Sequence, residues 1–187
     1  MINYNSKFQD LVLQYPNLWF NRRDKARTPL IRYGDVANQN FYVETGVVRA
    51  FYYSHKKAKE ITIDFFTAGD AILPYKGFAK NQVVLLYYEV IADASIWVIN
   101  GNDWKKIEKK EARLNELIDK ENHKLIRRLV EFSIIRDEFT AKERYAFFLQ
   151  KRNYASIIKD EHIASFLRMD KSTLSRNKLE QEQMQNE

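Results

Sequence analysis

The residues best suited to chemistry lie close together near the C-terminus of the chain. They are cationic or carry a hydroxyl group, and their spacing is that of one side of a helix. These residues are Lys171, Ser172, Ser175, Arg176 and Lys178. An arginine can donate two hydrogen bonds to a guanine edge, whereas lysine and serine side chains bind phosphate oxygens. We therefore expect this segment to bind double-stranded DNA.

Two short helices predicted around these residues form the element that positions them. Asp160 and Asp170 are suited to cap two helices joined by a tight turn, which is the pattern of a helix-turn-helix. Ala164 is small enough to let the second helix cross the first. The apolar wedge between the helices is predicted to be Ile163, Leu167, Met169 and Leu174. Arg168 and Asn177 depart from the pattern, because glycine and an apolar residue usually stand there; a hairpin that only packs is the alternative.

A long segment before this element predicts a helix with two apolar faces. Residues 107–139 contain neither proline nor glycine, and one apolar stripe repeats every seven residues while another, through Ile126, Val130 and Ile134, repeats every four. Such a helix must pack against two surfaces, so we expect one stripe on the chain's own β-domain and the other on a second copy. The predicted dimer interface is Ile118, Asn122, Leu125, Leu129 and Phe132. A helix buried wholly within a monomer is the alternative, as is an exposed position for Asn122.

The first half of the chain has the pattern of a β-rich domain. Short segments rich in β-branched and aromatic residues alternate with turn signals such as Gly34-Asp35 and Thr45-Gly46, after a small N-terminal helix. Many short strands predict a sandwich or a barrel-like roll. The chain is therefore predicted to be an α+β protein, in which a β-roll precedes a helical part that starts with Asn102 or Asp103 as a helix cap.

Composition excludes several classes of protein. The 187 residues include no cysteine, which excludes disulfides, zinc fingers and iron–sulfur clusters. A cupin-like enzyme would need clustered histidine and carboxylate ligands, but His55 stands alone beside two lysines. We therefore expect no cofactor, no metal and no enzymatic activity. The apolar runs are far shorter than the roughly 20 residues of a membrane span, and the N-terminus lacks a signal-peptide pattern, so we expect a cytoplasmic protein without a membrane partner.

The net charge of +6 is unevenly distributed along the chain. Residues 1–110 hold 16 basic and 11 acidic side chains, an excess of +5, whereas residues 111–187 hold 15 and 14, an excess of +1. Counterion release depends on the charges that touch phosphate. A DNA-binding element in the C-terminal part must therefore present its cations locally.

Four segments together carry a family resemblance. Residues 41–51 contain Glu44-Thr45-Gly46-Val47-Val48-Arg49, similar to a strand–Glu-x-Gly-x-x-Arg–strand motif, and residues 60–70 match the hairpin that follows it. Residues 141–145 and 163–176 look like two helical signatures. In this order, over nearly its whole length, the chain resembles the Crp/Fnr superfamily of bacterial transcription regulators, especially a short form typical of Bacteroidetes.

The resemblance implies three parts and their partners. A cyclic-nucleotide-binding-like β-roll of the jelly-roll type would span residues 1–110, a dimerisation helix residues 111–139, and a helix-turn-helix domain residues 140–187. It implies a homodimer on a palindromic DNA operator, with an unidentified small-molecule effector. The implied ligand pocket comprises Tyr42, Arg49, Asp70, Lys76 and Gly77. Only eight residues follow Leu179, so no C-terminal wing is expected.

Departures from the family pattern restrict the prediction. Cyclic-AMP binders of the family hold the cyclic phosphate with an arginine, yet no arginine occurs from Asp70 to Leu86. Lysine substitutes poorly for a bidentate arginine, so we expect no tight binding of cyclic AMP. The family's acidic base-reading residue is replaced by Ser172, so the operator sequence does not carry over. The alternative function is a sensing β-roll module that has lost specific DNA binding.

Overall fold

The strands of the first half form one antiparallel sheet. The computed structural model describes residues 6–74, 83–152 and 154–185. Its strands are β1 (Phe20–Asp24), β2 (Pro29–Ile31), β3 (Gln39–Ser54), β4 (Lys59–Thr67), β5 (Ala71–Ile72) and β6 (Tyr87–Asn100). The order is β1-β6-β3-β4, with β2 also paired to β6 and β5 to β3. The predicted antiparallel β-domain is confirmed, and β4 lies at an edge of the sheet.

Six α-helices accompany the sheet in the described residues. They are α1 (Ser6–Gln14), α2 (Gly101–Lys110), α3 (Leu114–Glu138), α4 (Ala141–Lys151), α5 (Asp160–Leu167) and α6 (Lys171–Gln185), with 3-10 turns at Pro16–Leu18 and Ala155–Ile157. The predicted α+β class is confirmed. The cap of α2 is Asn100 rather than Asn102 or Asp103, because its side chain accepts hydrogen bonds from both of their backbone N–H groups. The start of α4 follows from a capping box between Thr140 and Glu143.

Three apolar clusters hold these elements together. The first fills the interior of the roll, with inward side chains from β3 and β6 such as Val48 and Val98. The second joins α1, α2 and the start of α3 around Trp104, which stacks on Phe8. The third joins β4 to α3, α4, α5 and α6. Because of this third cluster, the C-terminal helices pack directly on the roll.

Aromatic rings form the centre of the third cluster. Phe65 of β4 contacts Phe166 of α5, with ring centroids 5.1 Å apart, and Phe148 of α4 at 6.2 Å. Phe132 of α3 meets Phe166 at 4.6 Å. Pairs of this kind stabilise a core beyond the area that they bury. The long helix, the roll and the last three helices therefore share one core.

Gly46 allows β3 and β6 to approach each other closely, and we expect Gly46→Ala to destabilise the fold more than Gly34→Ala. Both glycines have positive φ, +88° and +87°, so an alanine costs about 1–2 kcal/mol of backbone strain at either position. At position 46 its Cβ would also lie 2.5 Å from the Cβ of Ala94, whereas nothing lies within 4 Å at position 34. Overpacking adds about 1–3 kcal/mol. Urea unfolding followed by circular dichroism measures the difference; equal losses would contradict it.

Candidate nucleic-acid interface and its junction with the roll

The turn between α5 and α6 is made by an arginine in the left-handed conformation. Arg168 has φ 56° and ψ 48°, the geometry for which glycine is usually chosen. The backbone N–H of Met169 donates to the carbonyl oxygen of Ala164 at 3.0 Å, which closes the end of α5. The arginine at this usual glycine position therefore does not disrupt the turn between α5 and α6.

The residues predicted to form the apolar wedge lie together between α5 and α6. Its aliphatic members are buried, and Met169 packs against them. These aliphatic residues are Ile163, Ala164, Leu167 and Leu174. Asn177 is also buried, with its side-chain nitrogen 4.0 Å from the sulfur of Met169. The two helices therefore form a packed pair in which one usually apolar position is polar.

The opposite side of α6 offers the predicted DNA-binding residues to solvent. Lys171, Ser172, Ser175 and Arg176 are exposed, and Lys178 is half-buried. Two of them pair with acids of α5: Lys171 lies 3.0 Å from a carboxylate oxygen of Glu161, and Lys178 binds Asp160. Arg176 forms no ion pair with any residue that the structure describes. It is therefore available to an external acceptor.

Ser165 attaches α5 to the edge strand β4. Its hydroxyl accepts a hydrogen bond from the backbone N–H of Thr62 at 2.9 Å and donates to the carbonyl oxygen of Glu60 at 3.1 Å. A single side chain therefore satisfies both a donor and an acceptor of an edge strand. No sequence signal indicates this role, because Ser165 lies 103 residues from Thr62 and 105 residues from Glu60.

Arg49 forms a second link between the roll and α5. Its guanidinium is buried, pairs with Glu60 and lies 3.5 Å from Glu89. It also donates a hydrogen bond to Nδ1 of His162. A guanidinium can only donate, so Nδ1 must accept and the imidazole is neutral. Burial, together with the charge of Arg49, lowers the pKa of His162 to about 4.

The predicted ligand pocket is not assembled as expected. Arg49 faces α5, whereas Asp70 faces α3, and Tyr42 lies in the cluster formed by α1 and α2. Lys76 and Gly77 lie outside the described residues. Arg49 is a contact between the roll and the helix-turn-helix, with its buried charge balanced by Glu60 and Glu89, and its role in ligand binding stays a prediction.

A buried ionic cluster joins the roll to α3 and to the residues after α4. Asp64 is only 2% exposed, and its carboxylate lies 2.6 Å from a guanidinium nitrogen of Arg128 and 3.2 Å from one of Arg152. Arg128 also reaches Asp70 at 3.3 Å, and Lys124 reaches it at 2.7 Å. Burial raises the pKa of Asp64 against the effect of both arginines. For Asp70, burial is outweighed by Arg128 and Lys124, and the pKa is lowered.

The two apolar stripes of α3 differ in how far the chain itself covers them. Ile118 and Phe132 are buried within the protomer, and Leu125 packs on the core of the roll. Asn122 and Leu129 are half-buried. The exposed apolar stripe is Ile126 (57%), Val130 (53%) and Ile134 (55%). Ile118 and Phe132 are therefore covered by the chain's own roll and helices, whereas Asn122, Leu125 and Leu129 keep part of their surface exposed, and the dimer interface stays a prediction.

Other kinds of site find little support in the described part of the chain. No group of three or more histidine, cysteine, aspartate or glutamate side chains there is arranged to hold a metal ion. None of the described helices is long and apolar enough to cross a bilayer. The arrangement that remains is a helix pair with an exposed cationic face, fixed to a β-roll.

Solved structures of several bacterial proteins share this fold. FixK2 from Bradyrhizobium japonicum matches with a TM-score of 0.76 at 19% identity, over 90% of this chain and 86% of that one. CLP from Xanthomonas campestris, described as a c-di-GMP responsive global regulator, gives 0.75 at 13% identity, over 95% and 93%. A Eubacterium rectale protein described as a transcriptional regulator of the crp/fnr family gives 0.68 at 20%, over 94% and 85%.

These likenesses confirm the expected Crp/Fnr-type, cyclic-nucleotide-binding-like fold. Two of these matched proteins are described as regulators, the Xanthomonas campestris and the Eubacterium rectale proteins. No protein-family model and no curated protein sequence matches the chain. At identities of 13–20% the structural likeness indicates the fold, whereas function depends on the residues of the site.

Arg128 balances two buried carboxylates, so Arg128→Met should be strongly destabilising. Its removal would leave Asp64 with Arg152 alone and Asp70 with Lys124 alone, so the loss should approach the roughly 3–5 kcal/mol of a broken buried ion pair. The neighbouring Arg127 is exposed and has no described ion pair, so Arg127→Met should change stability by no more than about 0.5 kcal/mol. Free energies of unfolding from urea titration compare the two variants. Similar values for both would show that the cluster around Asp64 contributes little.

Proposed function

We propose that this chain is a dimeric, DNA-binding transcription regulator of the Crp/Fnr type. The observation that carries the proposal is the exposed cationic face of α6, supported from behind by a buried wedge on α5 and α6. A helix supported in this way can enter the major groove of DNA with its side chains already positioned. The Crp/Fnr-type fold of the chain agrees with this function.

Within this face, Arg176 is the base-reading residue. Its guanidinium is exposed and unengaged by the described acids, and a guanine edge offers two acceptors that match its fork. Lys171 and Lys178 are held by carboxylates of α5 and lie at the border of the face. They suit phosphate contacts, which position a protein on the duplex without reading its sequence.

A second copy of the chain covers the exposed stripe of α3. Ile126, Val130 and Ile134 are each more than half exposed, four residues apart, on the side of α3 away from the roll. Burying one such side chain fully contributes about 1.5–3 kcal/mol. A parallel pair of α3 helices would place two α6 helices on successive major grooves, about 34 Å apart, and so read a palindrome.

The effector is not expected to be cyclic AMP. No arginine lies between Asp70 and Leu86 to bind a cyclic phosphate, and Asp70 is already paired with Arg128 and Lys124. A ligand or partner that shifts α3 against the roll would act on this cluster. Such a shift would change the spacing of the two helix-turn-helix units.

The alternative is a sensing module that has lost specific DNA binding. Two observations favour it: the acids of α5 partly neutralise Lys171 and Lys178, and a polar Asn177 stands in the wedge. Selection of bound sequences from random DNA at about 100 mM salt separates the two functions, because salt in this range weakens contacts made only to phosphate. An enriched palindrome supports the regulator, and unenriched pools support the module.

Arg176→Ala should lower affinity for the selected operator by about 1–3 kcal/mol and relax the base preference at one position of each half-site. Fluorescence anisotropy with the operator and with single-base variants measures both effects. The matched control is Arg23→Ala, which removes an equally exposed arginine from β1 and should leave binding unchanged. Unchanged affinity of the Arg176 variant would contradict the assigned role.

Val130→Glu should convert the dimer to a monomer. A carboxylate in the centre of an apolar seam cannot be buried without a partner. Leu13→Glu is the control, because Leu13 is 69% exposed on α1 and lies outside the stripe. Sedimentation equilibrium at micromolar concentration should give a monomer for the Val130 variant and a dimer for the control. A dimer in both cases would exclude the stripe as the seam.

A further inference from the structure

The hairpin between β3 and β4 carries a group of exposed lysines. Lys56, Lys57 and Lys59 lie at its tip, and all three side chains are exposed. None of them pairs with a carboxylate of the described residues, whereas the adjacent Glu60 is engaged by Arg49. We refer to these three residues as the hairpin lysines. They form a local concentration of positive charge without an internal counterion.

The hairpin lysines lie beside the turn of the helix-turn-helix. Lys57 and Lys59 line a cleft of about 230 Å³ together with Arg168, the left-handed residue between α5 and α6. Lys59 also lines a neighbouring cleft of about 400 Å³ together with Lys171, at the first turn of α6. Asp170 also lines both clefts, and Glu60 and Glu161 line the larger one, so the positive charges of the larger cleft are balanced. The surplus of positive charge lies in the smaller cleft, where Lys57, Lys59 and Arg168 accompany Asp170 alone.

Two contacts fix the position of the hairpin relative to α5. The hydroxyl of Ser165 bonds to the backbone of Thr62 and of Glu60, which directly follows Lys59. Arg49 binds Glu60 and His162 from the other side. The hairpin is thus a part of the roll that is held in place by the helix-turn-helix. Asp170 offsets part of the charge of Lys57, Lys59 and Arg168, and the remaining positive charge favours the binding of an external anion.

The distribution of charge along the chain agrees with an anionic partner of the first 110 residues. Residues 1–110 carry an excess of +5 and residues 111–187 an excess of only +1, so most of the cationic surplus belongs to the roll. The acids of α5 also reduce the positive field around Lys171 and Lys178. Phosphate contacts supplied by the roll would compensate for this reduction.

We propose that the hairpin lysines bind the phosphate backbone of the same duplex that α6 reads, beside the major groove that α6 enters. This inference rests on the proposed function, because it assumes that α6 binds DNA. Lysine is a point charge on a flexible stem, so it grips phosphate and does not discriminate between bases. The β-roll is then part of the DNA-binding surface as well as the domain that receives a signal.

The test compares salt dependence in a triple variant, in which Lys56, Lys57 and Lys59 are all replaced by glutamine. Binding of the full-length chain to the selected operator and to a scrambled duplex is measured by anisotropy across a potassium chloride series. The logarithmic salt slope should fall by about 0.9 for every lysine–phosphate contact that is lost. Affinity should fall by the same factor for the operator and the scrambled duplex, in contrast to Arg176→Ala.

The matched control replaces Lys105, Lys109 and Lys110 of α2 by glutamine. These lysines are also exposed, and their loss changes the net charge equally. A control variant with the wild-type slope, beside a reduced slope for the hairpin variant, supports the inference. Equal slopes for the two variants overturn the inference and leave the proposed function standing. The same conclusion holds if the slopes are equal and the hairpin variant alters transcription through a protein partner. If the wild-type chain binds neither duplex, the proposed function fails, and the inference fails with it.

Discussion

The ion pair between Asp64 and Arg128 is the constraint on which the packing of the rest depends. A carboxylate that is 2% exposed must keep a cationic partner, because desolvating it alone is far more costly than any single contact in the core. That partner comes from α3, and Arg152 supplies a second guanidinium from the end of α4. The roll, the long helix and the C-terminal helices can therefore shift against each other only if these charges move together or find new partners.

Local pattern was sufficient to predict most of the elements. The strands, the long helix and the helix-turn-helix follow from alternation, from the lack of proline and glycine, and from apolar spacing, because each of these signals acts within a few residues. The predicted cap at Asp160 is wrong, because α5 begins at Asp160 and its cap position is Lys159, which forms no side-chain cap hydrogen bond. The buried face of α3 could not be predicted from the sequence, because both of its stripes are apolar. Which stripe is buried depends on the surface of the roll against which the helix packs. The role of Arg49 did not follow either, because its partner His162 lies 113 residues away.

The two departures in the helix-turn-helix show which of its features matter physically. Arg168 adopts the left-handed conformation at a cost of about 1–2 kcal/mol, and the backbone hydrogen bonds that end α5 are nevertheless made. Asn177 is buried beside Met169 without displacing the aliphatic wedge. Helix crossing therefore depends on the small Ala164 and the buried Leu167 and Leu174 more than on a glycine in the turn.

Helix α5 packs against α6 on one side and against the roll on the other, and this limits how the chain can be regulated. Ile163 and Leu167 face the core that it shares with α6, while Ser165 and His162 hold the roll. The cationic face of α6 stays exposed while α5 is docked, so docking on the roll does not cover the surface proposed for DNA. A signal cannot act by uncovering that face. In the proposed dimer, a signal would instead have to change where the two docked units stand relative to each other, and α3 would connect each unit to the proposed seam.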